Sequence, residues 1–484
     1  MNEAIIFWFR QDLRLKDNPG LDAAIASGKA LIPVYILDDE SPSQWRLGQA
    51  SRWWLHHSLS ALNKELKQHY GTELILRRGS AKTLLPKLCD ETGADAVFCS
   101  RQYEPWAAAL EQDLHHLFQY RAISFKRFAG SLLFEPGSIL TQAGGPFKVF
   151  TAFWRRCRSG PEPALPLGLP KAPQSLRTGL ASDTLTDWQL LPDSPNWAAG
   201  WETLWQPGAE GAAQRLQQFL NAAIDDYQDA RDIPAQVGTS LLSAHLSFGE
   251  ISPRMVWHAT KAKVAQEHSL LEQSNKFLSE LAWREFSHHL LHFFPQLPQE
   301  PFKAQFAHFP WESNPTALQA WQQGQTGYPM VDAGMRELWQ SGYMHNRLRM
   351  IVASFLTKHL RLHWRLGERW FWDCLVDANL ANNASGWQWV AGSGADASPY
   401  FRIFNPTTQG EKFDPQGDYI RRWVPELAGL PNKYLHQPSK APAKVLEQAG
   451  LVLGENYPLP IVEHSSAREQ ALSAYAVARE SFNL

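Results

Sequence analysis

Two residues on one predicted helix combine groups that could hold a planar heterocycle. Glu280 and Trp283 lie three positions apart in a strongly helical pattern, so their side chains share one face. An indole can stack on a flat ligand while a carboxylate accepts hydrogen bonds from the ligand's edge. Taken alone, such a pair is more typical of a core tryptophan beside a surface acid.

Residues 377–389 are dense in short amides and contain two indoles. Asn and Asp side chains favour irregular backbone and offer hydrogen-bond donors and acceptors in a small space, which suits the binding of a heterocycle. Trp387 and Trp389 are two positions apart, so on a helix they face nearly opposite ways. One could line a cavity while the other points into the protein, although a purely structural asparagine-rich turn is the alternative.

Two further segments could contact an anion or a base. Residues 239–243 are expected to open a helix, where hydroxyls and free backbone N–H groups form an anion site, although an ordinary N-cap is the plainer interpretation. In residues 342–350, Asn346 and Met350 share a face and Arg347 points elsewhere. A helix start with basic residues on its solvent side explains this second segment more simply.

The motifs of several enzyme classes are missing from the sequence. The histidines form no HExxH pattern and no carboxylate–histidine group with ligand spacing, so no metal site is predicted. His288, His289 and His292 could line one helix face, but satisfied or exposed histidines are the commoner explanation. The sequence contains neither a glycine-rich phosphate loop nor a GxSxG nucleophile turn.

The composition of the 484 residues is that of a soluble globular protein, with 44% hydrophobic and 19% charged residues. This length exceeds one ordinary core and indicates two or three domains. The net charge of −2 gives no general attraction to nucleic acid, so a DNA site would need a local basic patch. A candidate patch, or else a solvated helix face, lies in residues 336–365, whose cations are Arg336, Arg347, Arg349, Lys358, Arg361 and Arg365. The 21 tryptophans are more than packing alone requires.

The cysteines and the first residues of the chain indicate the cellular compartment of the protein. Cys89, Cys99, Cys157 and Cys374 are far apart and form no CxxC pair, which argues against a disulfide scaffold or a cysteine zinc site. A reducing compartment is the natural interpretation. The first residues have no signal-peptide pattern, and no apolar stretch approaches about 18 residues. We therefore expect a cytoplasmic protein that does not span a membrane.

The chain divides into three regions by pattern. Apolar runs alternate with helix-length segments over residues 1–130, which predicts an α/β domain with a parallel sheet covered on both faces. Residues 131–199 are predicted to be an inter-domain connector, whose proline-rich stretch from about residue 158 to residue 196 is expected to run over the surface. Helical periodicity dominates residues 200–484 and predicts an all-α domain. Strands are expected at 5–9, 31–37, 74–76, 96–99 and 123–125, and helices at 50–70, 105–120, 212–227, 276–294, 315–323, 331–341, 346–364, 368–376 and 467–481.

Together these motifs are similar to those of the photolyase/cryptochrome flavoprotein family. The similarity runs from residues 7–14 to about residue 464 and is weakest in the connector. Within the family, the chain most resembles bacterial photolyases that repair cyclobutane pyrimidine dimers. The resemblance implies an antenna domain with a Rossmann-like sheet, followed by an all-α domain that binds FAD. The most specific segments are 280–286, 326–329, 344–350, 386–389 and 400–406.

The resemblance also assigns residues to the cofactor and to the substrate. FAD would be held by Tyr227, Thr239, Ser240, Leu241, Leu242, Ser243, Asp377, Ala378, Asn379 and Asn383, the last facing flavin N5. DNA and the lesion would contact Arg231, Glu280, Trp283, Asn346, Arg347, Met350, Trp389 and Arg402. Electrons would reach the flavin from the surface through Trp311, Trp364 and Trp387.

The implied function is light-dependent DNA repair. Reduced, anionic FAD, excited by blue or near-UV light, would pass one electron to a flipped-out dimer and split it into two pyrimidines. Glu280 would stabilise the dimer radical anion, and Asn383 would suit reduced flavin. The partner would be UV-damaged DNA, double or single stranded. The protein would bind it as a monomer, in the cytoplasm and associated with the nucleoid.

Three other functions are less consistent with the residues. A cryptochrome-like blue-light sensor without repair activity is disfavoured because the residues at the substrate positions are of repair type. An enzyme for the (6-4) photoproduct would need a histidine where Asn346 stands. A dark electron-transfer flavoprotein would leave the lesion pocket unexplained.

The sequence departs from the family pattern at two places. Tyr103 and Glu104 are followed by Pro105 rather than by the Asn-Glu pair of members that bind a folate antenna. A second chromophore could therefore be a folate bound otherwise, a deazaflavin or another flavin, or it could be absent. Asn379 stands where a second aspartate is usual, so flavin binding should survive while the flavin potential could shift.

Overall fold

The computed structural model describes residues 3–177 and 179–483. The chain folds into two compact units. The first lies within Met1–Asp225, Ser240–Pro295 and Val376–Asn379, and the second within Asp226–Thr239, Gln296–Leu375 and Leu380–Leu484. These units divide the chain differently from the predicted domains 1–130, 131–199 and 200–484.

The first unit contains a parallel sheet. Among the described residues, five strands form it in the order β3-β2-β1-β4-β5. In the centre, Ile5 is in register with Leu31 on one side and with Ala96 on the other. The prediction of a parallel sheet is confirmed, with every expected strand present within a few residues. The strands are β1 (Ala4–Phe9), β2 (Ala30–Leu37), β3 (Ile75–Arg78), β4 (Ala94–Ser100) and β5 (Ser124–Phe128).

The apolar runs become strands because both faces of the sheet are covered. All residues of β1 are buried, which is why its sequence shows a continuous apolar run instead of an alternation. The covering helix α1 begins at Pro19, and the Asn18 side chain caps it by accepting a hydrogen bond from the Leu21 amide at 3.2 Å.

Helices make up most of the remaining structure. The helices up to residue 293 are α1 (Pro19–Ala26), α2 (Gln49–Tyr70), α3 (Ala81–Thr92), α4 (Pro105–Tyr120), α5 (Phe150–Arg158), α6 (Trp201–Leu204), α7 (Ala209–Gln218), α8 (Tyr227–Ala230), α9 (Ser243–Ser247), α10 (Pro253–Gln266) and α11 (Leu271–Phe293). Of these, α8 belongs to the second unit.

The second unit is helical. Its further helices are α12 (Pro315–Gln322), α13 (Pro329–Ser341), α14 (Asn346–Ser354), α15 (Trp364–Cys374), α16 (Leu380–Ala391), α17 (Pro406–Phe413), α18 (Asp418–Trp423), α19 (Asn432–Leu435), α20 (Ala443–Gln448) and α21 (His464–Asn483). Wider π-helical turns occur at Phe219–Ala223 and Phe355–His359, and short 3₁₀ turns at Ser43–Trp45, His268–Leu270, Ala304–His308, Pro425–Leu427 and Pro438–Lys440. The predicted all-α character is confirmed, since the described residues beyond 200 form helices and isolated bridges but add no strand to the sheet.

Two predicted helices are interrupted. The predicted helix 346–364 is wrong beyond Ser354, because a π-helical turn follows and Arg361 then adopts a left-handed φ of 48°. Trp364 therefore starts a new helix, α15, instead of ending an old one. The predicted helix 212–227 is likewise broken by the π-helical turn Phe219–Ala223.

The connector 131–199 is more structured than predicted. It contains α5, and its start is attached to α11 because Glu285 accepts the amides of Leu133 and Phe134 at 2.8 and 3.1 Å. Its later part reaches the core, where Trp188 is 2% exposed and contacts the Tyr35 ring. The expectation that residues 158–196 run over the surface is therefore wrong at Trp188.

Within the described part of the chain, no helix has both the length and the apolar character needed to cross a membrane.

Candidate functional site

Four predicted substrate residues meet in one open cavity of the second unit. Arg347, Met350, Trp389 and Arg402 all line it. They come from α14, from α16 and from the segment before α17, so residues distant in sequence converge at this cavity. The cavity volume is about 700 Å³, within the range typical of pockets for organic ligands.

The lining of this cavity combines an apolar surface with balanced charges. Its large apolar side chains are Met350, Trp389, Phe404, Phe413 and Ile233. Among the described lining residues, three carboxylates face three cations, namely Asp226, Asp229 and Asp232 against Arg347, Arg402 and Lys412. Such a lining suits an uncharged planar group better than a bare phosphate, since a phosphate would meet as many acids as bases.

Arg347 is held from three sides. Its Nη2 lies 2.6 Å from Asp232 Oδ2, its guanidinium carbon lies 4.2 Å above the centre of the Phe413 ring, and its Nη1 lies 3.9 Å from Met350 Sδ. The same carboxylate approaches Arg231, with 3.8 Å between Asp232 Oδ1 and Arg231 Nε. Sequence reasoning named both arginines but missed Asp232 and Phe413.

Asn346 lies at the start of α14 and is exposed. It is not among the described residues that line the cavity, and neither is Arg231, although its chain neighbours Ala230 and Asp232 are. The preceding His345 caps the helix, because its Nδ1 accepts the Arg347 amide at 3.2 Å.

Glu280 and Trp283 belong to the first unit, on α11. Glu280 is 25% exposed and pairs with Lys276 one turn earlier at 2.9 Å. Trp283 is half-buried and stacks on Phe150 of α5, with ring centroids 3.8 Å apart and planes 10° from parallel. Phe150 therefore backs one face of this indole, a function that the sequence did not reveal because α5 was not predicted.

The three tryptophans of the implied electron path all lie in the second unit. Trp387 is buried against α15, where a Cβ on Gly367 would come within 2.0 Å of its ring. Trp364 is buried on the same helix, and the His363 ring lies between it and half-buried Trp311, at centroid distances of 5.6 and 5.0 Å. Neither Gly367 nor His363 was singled out from the sequence.

The segment predicted as an anion site is a loop and not a helix start. Helix α9 begins only at Ser243 and has five residues, so Thr239, Ser240 and Leu242 precede it. Leu241 adopts a left-handed φ of 52°. The approach to this loop is tight, because a Cβ on Gly238 would come within 2.4 Å of the Ala230 carbonyl oxygen. Any phosphate contact in this segment would come from loop amides and hydroxyls.

The amide-rich segment offers polar groups that fit a bound cofactor. Asn383 donates from Nδ2 to the Glu368 carbonyl oxygen at 2.8 Å, which orients its amide. The Glu368 side chain is fully buried, and neither carboxyl oxygen meets a hydrogen-bond partner among the described residues. Burial raises the pKa of Glu368 well above its usual range, which favours the neutral carboxyl. An orphaned buried carboxyl on the residue that holds Asn383 fits a pocket that a flavin would complete.

The remaining predicted cofactor residues are also largely buried. Tyr227 is buried at the start of α8, and Asp377 is 8% exposed. The Ala378 carbonyl oxygen accepts a hydrogen bond from Ser247 Oγ at 3.1 Å. Asn379 Nδ2 lies 3.5 Å from His288 Nε2, and burial lowers the pKa of His288 to about 3, so this imidazole is a neutral acceptor.

The basic segment 336–365 is not a free phosphate-binding stripe. Arg336 pairs with Glu426 and Arg361 with Glu312, each at 2.7 Å. Lys358 is 1% exposed and donates to the Arg402 carbonyl oxygen at 3.1 Å. The prediction that this segment presents its cations to DNA is therefore wrong for Lys358.

No set of three or more His, Cys, Asp or Glu side chains within 3–177 and 179–483 is placed to hold a metal ion.

Comparisons with known proteins point to one family. The family pattern described as "DNA photolyase" matches residues 5–171, and that described as "FAD binding domain of DNA photolyase" matches residues 277–477. A deoxyribodipyrimidine photo-lyase of Agrobacterium fabrum is 49% identical over 477 residues, which cover 99% of this chain and 98% of that protein.

Solved structures agree with the sequence comparisons. A bacterial class III photolyase from Agrobacterium tumefaciens superposes with a TM-score of 0.95 at 48% identity, covering 99% of this chain and 98% of that one. An archaeal photolyase from Sulfolobus tokodaii with two FAD molecules superposes with a TM-score of 0.82 at 30% identity, covering 98% and 99% of the two chains.

Proposed function

This chain belongs to the photolyase/cryptochrome family, and from that premise we propose that it is a light-driven DNA repair enzyme that splits cyclobutane pyrimidine dimers. The observation that carries the proposal is the cavity of the second unit. Met350 and Trp389 give it apolar surface, and Arg347 and Arg402 bring cations whose charge is balanced by acids. These features suit two fused, uncharged bases, with the flanking phosphates held by the arginines of the lining.

Binding would begin with extrusion of the lesion from the duplex. A crosslinked dimer stacks poorly on its neighbours, so removing it costs less than removing normal bases. Trp389 and Trp283 would each stack on a base, at about 1–3 kcal/mol per base. Arg231, Arg347 and Arg402 would contact the backbone, and Asn346 would contact the DNA at the exposed start of α14.

The cofactor of the reaction is FAD. The chain would hold it with Tyr227, the loop residues Thr239, Ser240, Leu241, Leu242 and Ser243, and the segment Asp377, Ala378, Asn379 and Asn383. The chemistry that bound, reduced and anionic FAD would supply on excitation is one electron for the dimer, whose two cyclobutane carbon–carbon bonds would break before the electron returned to the flavin. Asn383, oriented by the Glu368 carbonyl, would present its amide to flavin N5.

Glu280 would act on the substrate while the dimer carries the extra electron. Its carboxyl group is 25% exposed on α11 and, in its protonated form, would donate a hydrogen bond to a dimer carbonyl oxygen. Charge that develops on that oxygen would then be stabilised by the donated hydrogen bond. The pairing with Lys276 at 2.9 Å would have to give way to the dimer, because a carboxylate held in an ion pair accepts hydrogen bonds and cannot donate one.

A separate route would keep the flavin reduced. Electrons would pass inward from half-buried Trp311 through Trp364 to Trp387, and the His363 ring between the first two would shorten the gap. The Trp387→Phe variant is expected to lose photoreduction of oxidised FAD. The same variant, reduced chemically, is expected to repair dimers normally, which separates this route from the repair step.

A second chromophore would widen the usable light. The Sulfolobus relative holds two FAD molecules, and we propose a second, antenna chromophore in this protein, with a folate, a deazaflavin and a flavin all open. Chromatography of the chromophores released by heating the purified protein identifies it. We further propose that the protein acts as a monomer on double- or single-stranded DNA in the cytoplasm, associated with the nucleoid.

The proposal is tested by mixing the chemically reduced protein with UV-irradiated oligothymidylate under blue light. The absorbance of the thymine band is expected to recover in the light and to stay unchanged in the dark. A protein that binds FAD but gives no recovery in the light would refute repair and favour a light sensor. The chemically reduced Trp387→Phe variant is the matched control, since it should still repair.

A further inference from the structure

Asp232 brings a negative charge into a cavity that we propose to accept DNA. A carboxylate close to phosphates opposes their binding, so Asp232 is not explained by attraction to the substrate. Its contacts point instead to the neighbouring cations. Asp232 Oδ2 lies 2.6 Å from Arg347 Nη2, and its Oδ1 lies 3.8 Å from Arg231 Nε.

The orientation of Arg347 is fixed by two different contacts. The Phe413 ring supports the guanidinium, whose carbon lies 4.2 Å from the ring centre. The ion pair with Asp232 holds its outer nitrogen Nη2. Arg347 Nε is buried and has no hydrogen-bond partner within the described part of the chain, so only the outer nitrogens can meet a ligand.

We propose that Asp232 is a positioning residue of the substrate site, which holds the Arg347 guanidinium on the Phe413 ring in the orientation that bonds the DNA backbone beside a flipped-out dimer. The inference rests on the proposed function and adds to it the residue that preorganises Arg347. An unrestrained arginine loses rotamer freedom when it is immobilised, and a preformed ion pair removes part of that loss from the binding step.

A rival explanation is that Asp232 acts only through its charge, and the chain offers a matched control for it. Asp229 lines the same cavity and lies three positions earlier, whereas the ion pair of Arg347 goes to Asp232. The Asp229→Asn and Asp232→Asn variants both remove one negative charge from the lining. Only Asp232→Asn also weakens the hold on Arg347.

The test measures dark binding of each variant to a fluorescent duplex with one thymine dimer and to the same duplex undamaged. Asp232→Asn is expected to weaken binding of the dimer duplex by about five- to tenfold although it removes a repulsive charge. Asp229→Asn is expected to tighten binding of both duplexes by up to about threefold. Asp232→Glu should restore most of the loss, because it keeps the ion pair.

Two further measurements separate positioning from a structural effect. The dependence of affinity on salt should fall by about one phosphate contact in Asp232→Asn, as expected when Arg347 leaves the backbone. In an Arg347→Ala background, Asp232→Asn should cost less than twofold. Equal melting temperatures and equal flavin content would show that the variants are folded.

The outcomes are distinct. If Asp232→Asn tightens dimer binding as Asp229→Asn does, the positioning function is wrong. If the wild type binds damaged and undamaged duplexes equally, the proposed function fails and not only this inference. If Asp232→Asn does not fold, Arg347→Lys decides, because it keeps the charge without the planar fork, and dimer affinity within twofold of wild type would overturn the proposal.

Discussion

At the residue scale, the position of Trp387 depends on the absence of a side chain at Gly367. A Cβ there would meet the indole at 2.0 Å, so Gly367→Ala should displace the ring. We expect a loss of about 1–3 kcal/mol in the free energy of unfolding and a slower photoreduction of FAD. Gly386→Ala is the control, because that position on α16 faces open space and should be neutral or slightly stabilising. Equal photoreduction rates in the two variants would contradict this account.

Phe150 is expected to matter for the lesion although it lies outside the predicted site. Replacing it by leucine removes the ring that stacks on Trp283 at 3.8 Å, so the indole loses its support. We expect Phe150→Leu to weaken binding of dimer DNA by about three- to tenfold, in line with about 0.5–1.5 kcal/mol for an aromatic pair. Phe153 on the same helix contacts Phe286 and His289 instead. The Phe153→Leu variant therefore controls for the packing that α5 loses when a ring is removed. An equal effect of both changes would rule out a specific function of Phe150.

The amide at position 379 is expected to tune the flavin. Its Nδ2 lies 3.5 Å from His288 Nε2, and that imidazole is neutral because burial lowers its pKa to about 3. Asn379→Asp would place a negative charge near a flavin that is itself anionic when reduced. We expect the midpoint potential of bound FAD to fall, because the added charge opposes reduction to the anion, and spectroelectrochemistry measures the shift. An unchanged or higher potential would show that Asn379 does not act on the flavin electrostatically.

The sequence named the residue types of the site but not their supports. Glu280, Trp283, Arg347 and Trp389 were predicted from the family resemblance, which rests on short local motifs. Phe150 reaches Trp283 from more than a hundred positions away, and such pairings depend on packing between elements that no local pattern records.

At the scale of elements, the π-helical turn Phe355–His359 buries a lysine. Lys358 is 1% exposed, and burial lowers its pKa from 10.5 to about 7. Between these two pH values the unfolded chain binds more protons than the folded chain, so this group makes stability rise with pH. We expect Lys358→Met to be more stable than wild type at pH 7, by about 1–2 kcal/mol, with the difference shrinking toward pH 10.

Urea unfolding at a series of pH values measures this difference. Arg361→Met is the comparison, since Arg361 lies just beyond the turn, pairs with Glu312 and is not desolvated in the same way. A difference between Lys358→Met and wild type that is constant from pH 7 to pH 10 would mean that the lysine is not held neutral.

The same turn explains why one helix prediction failed. Helical periodicity continues through residues 346–364, but the backbone widens at Phe355 and turns left-handed at Arg361. The side-chain pattern carries no sign of either event, because a π-helical turn adds a residue without removing apolar ones. Helix α5 was not predicted because it is short. Nine residues beside a proline-rich stretch show too little helical periodicity to indicate a helix.

At the scale of the whole molecule, DNA binding has to be a local property. The net charge of −2 provides no general attraction, and several cations of the basic segment are already paired or buried. Under the proposed function, specificity for a lesion would depend on the cavity of the second unit, whose lining charges balance. We therefore expect the protein to bind undamaged DNA weakly and with an affinity that falls as the salt concentration rises.

Fold class was predictable, whereas the arrangement of its parts was not. The continuous apolar runs at residues 5–9 and 31–37 predicted a covered parallel sheet, because only strands buried on both faces avoid alternation. The strand order and the attachment of Leu133 to Glu285 arise from contacts between distant segments. The alternation of apolar runs and helices limits such contacts but does not specify them.

We propose that light absorbed by this flavoprotein drives the splitting of a cyclobutane dimer. The most direct measurement uses a duplex with a single thymine dimer inside a restriction site, which blocks cleavage. After incubation with the chemically reduced protein and blue light, the account predicts that the restriction enzyme cleaves the duplex, whereas the dark sample stays uncut. A duplex that stays uncut in the light, with FAD bound and the duplex bound, would contradict the account.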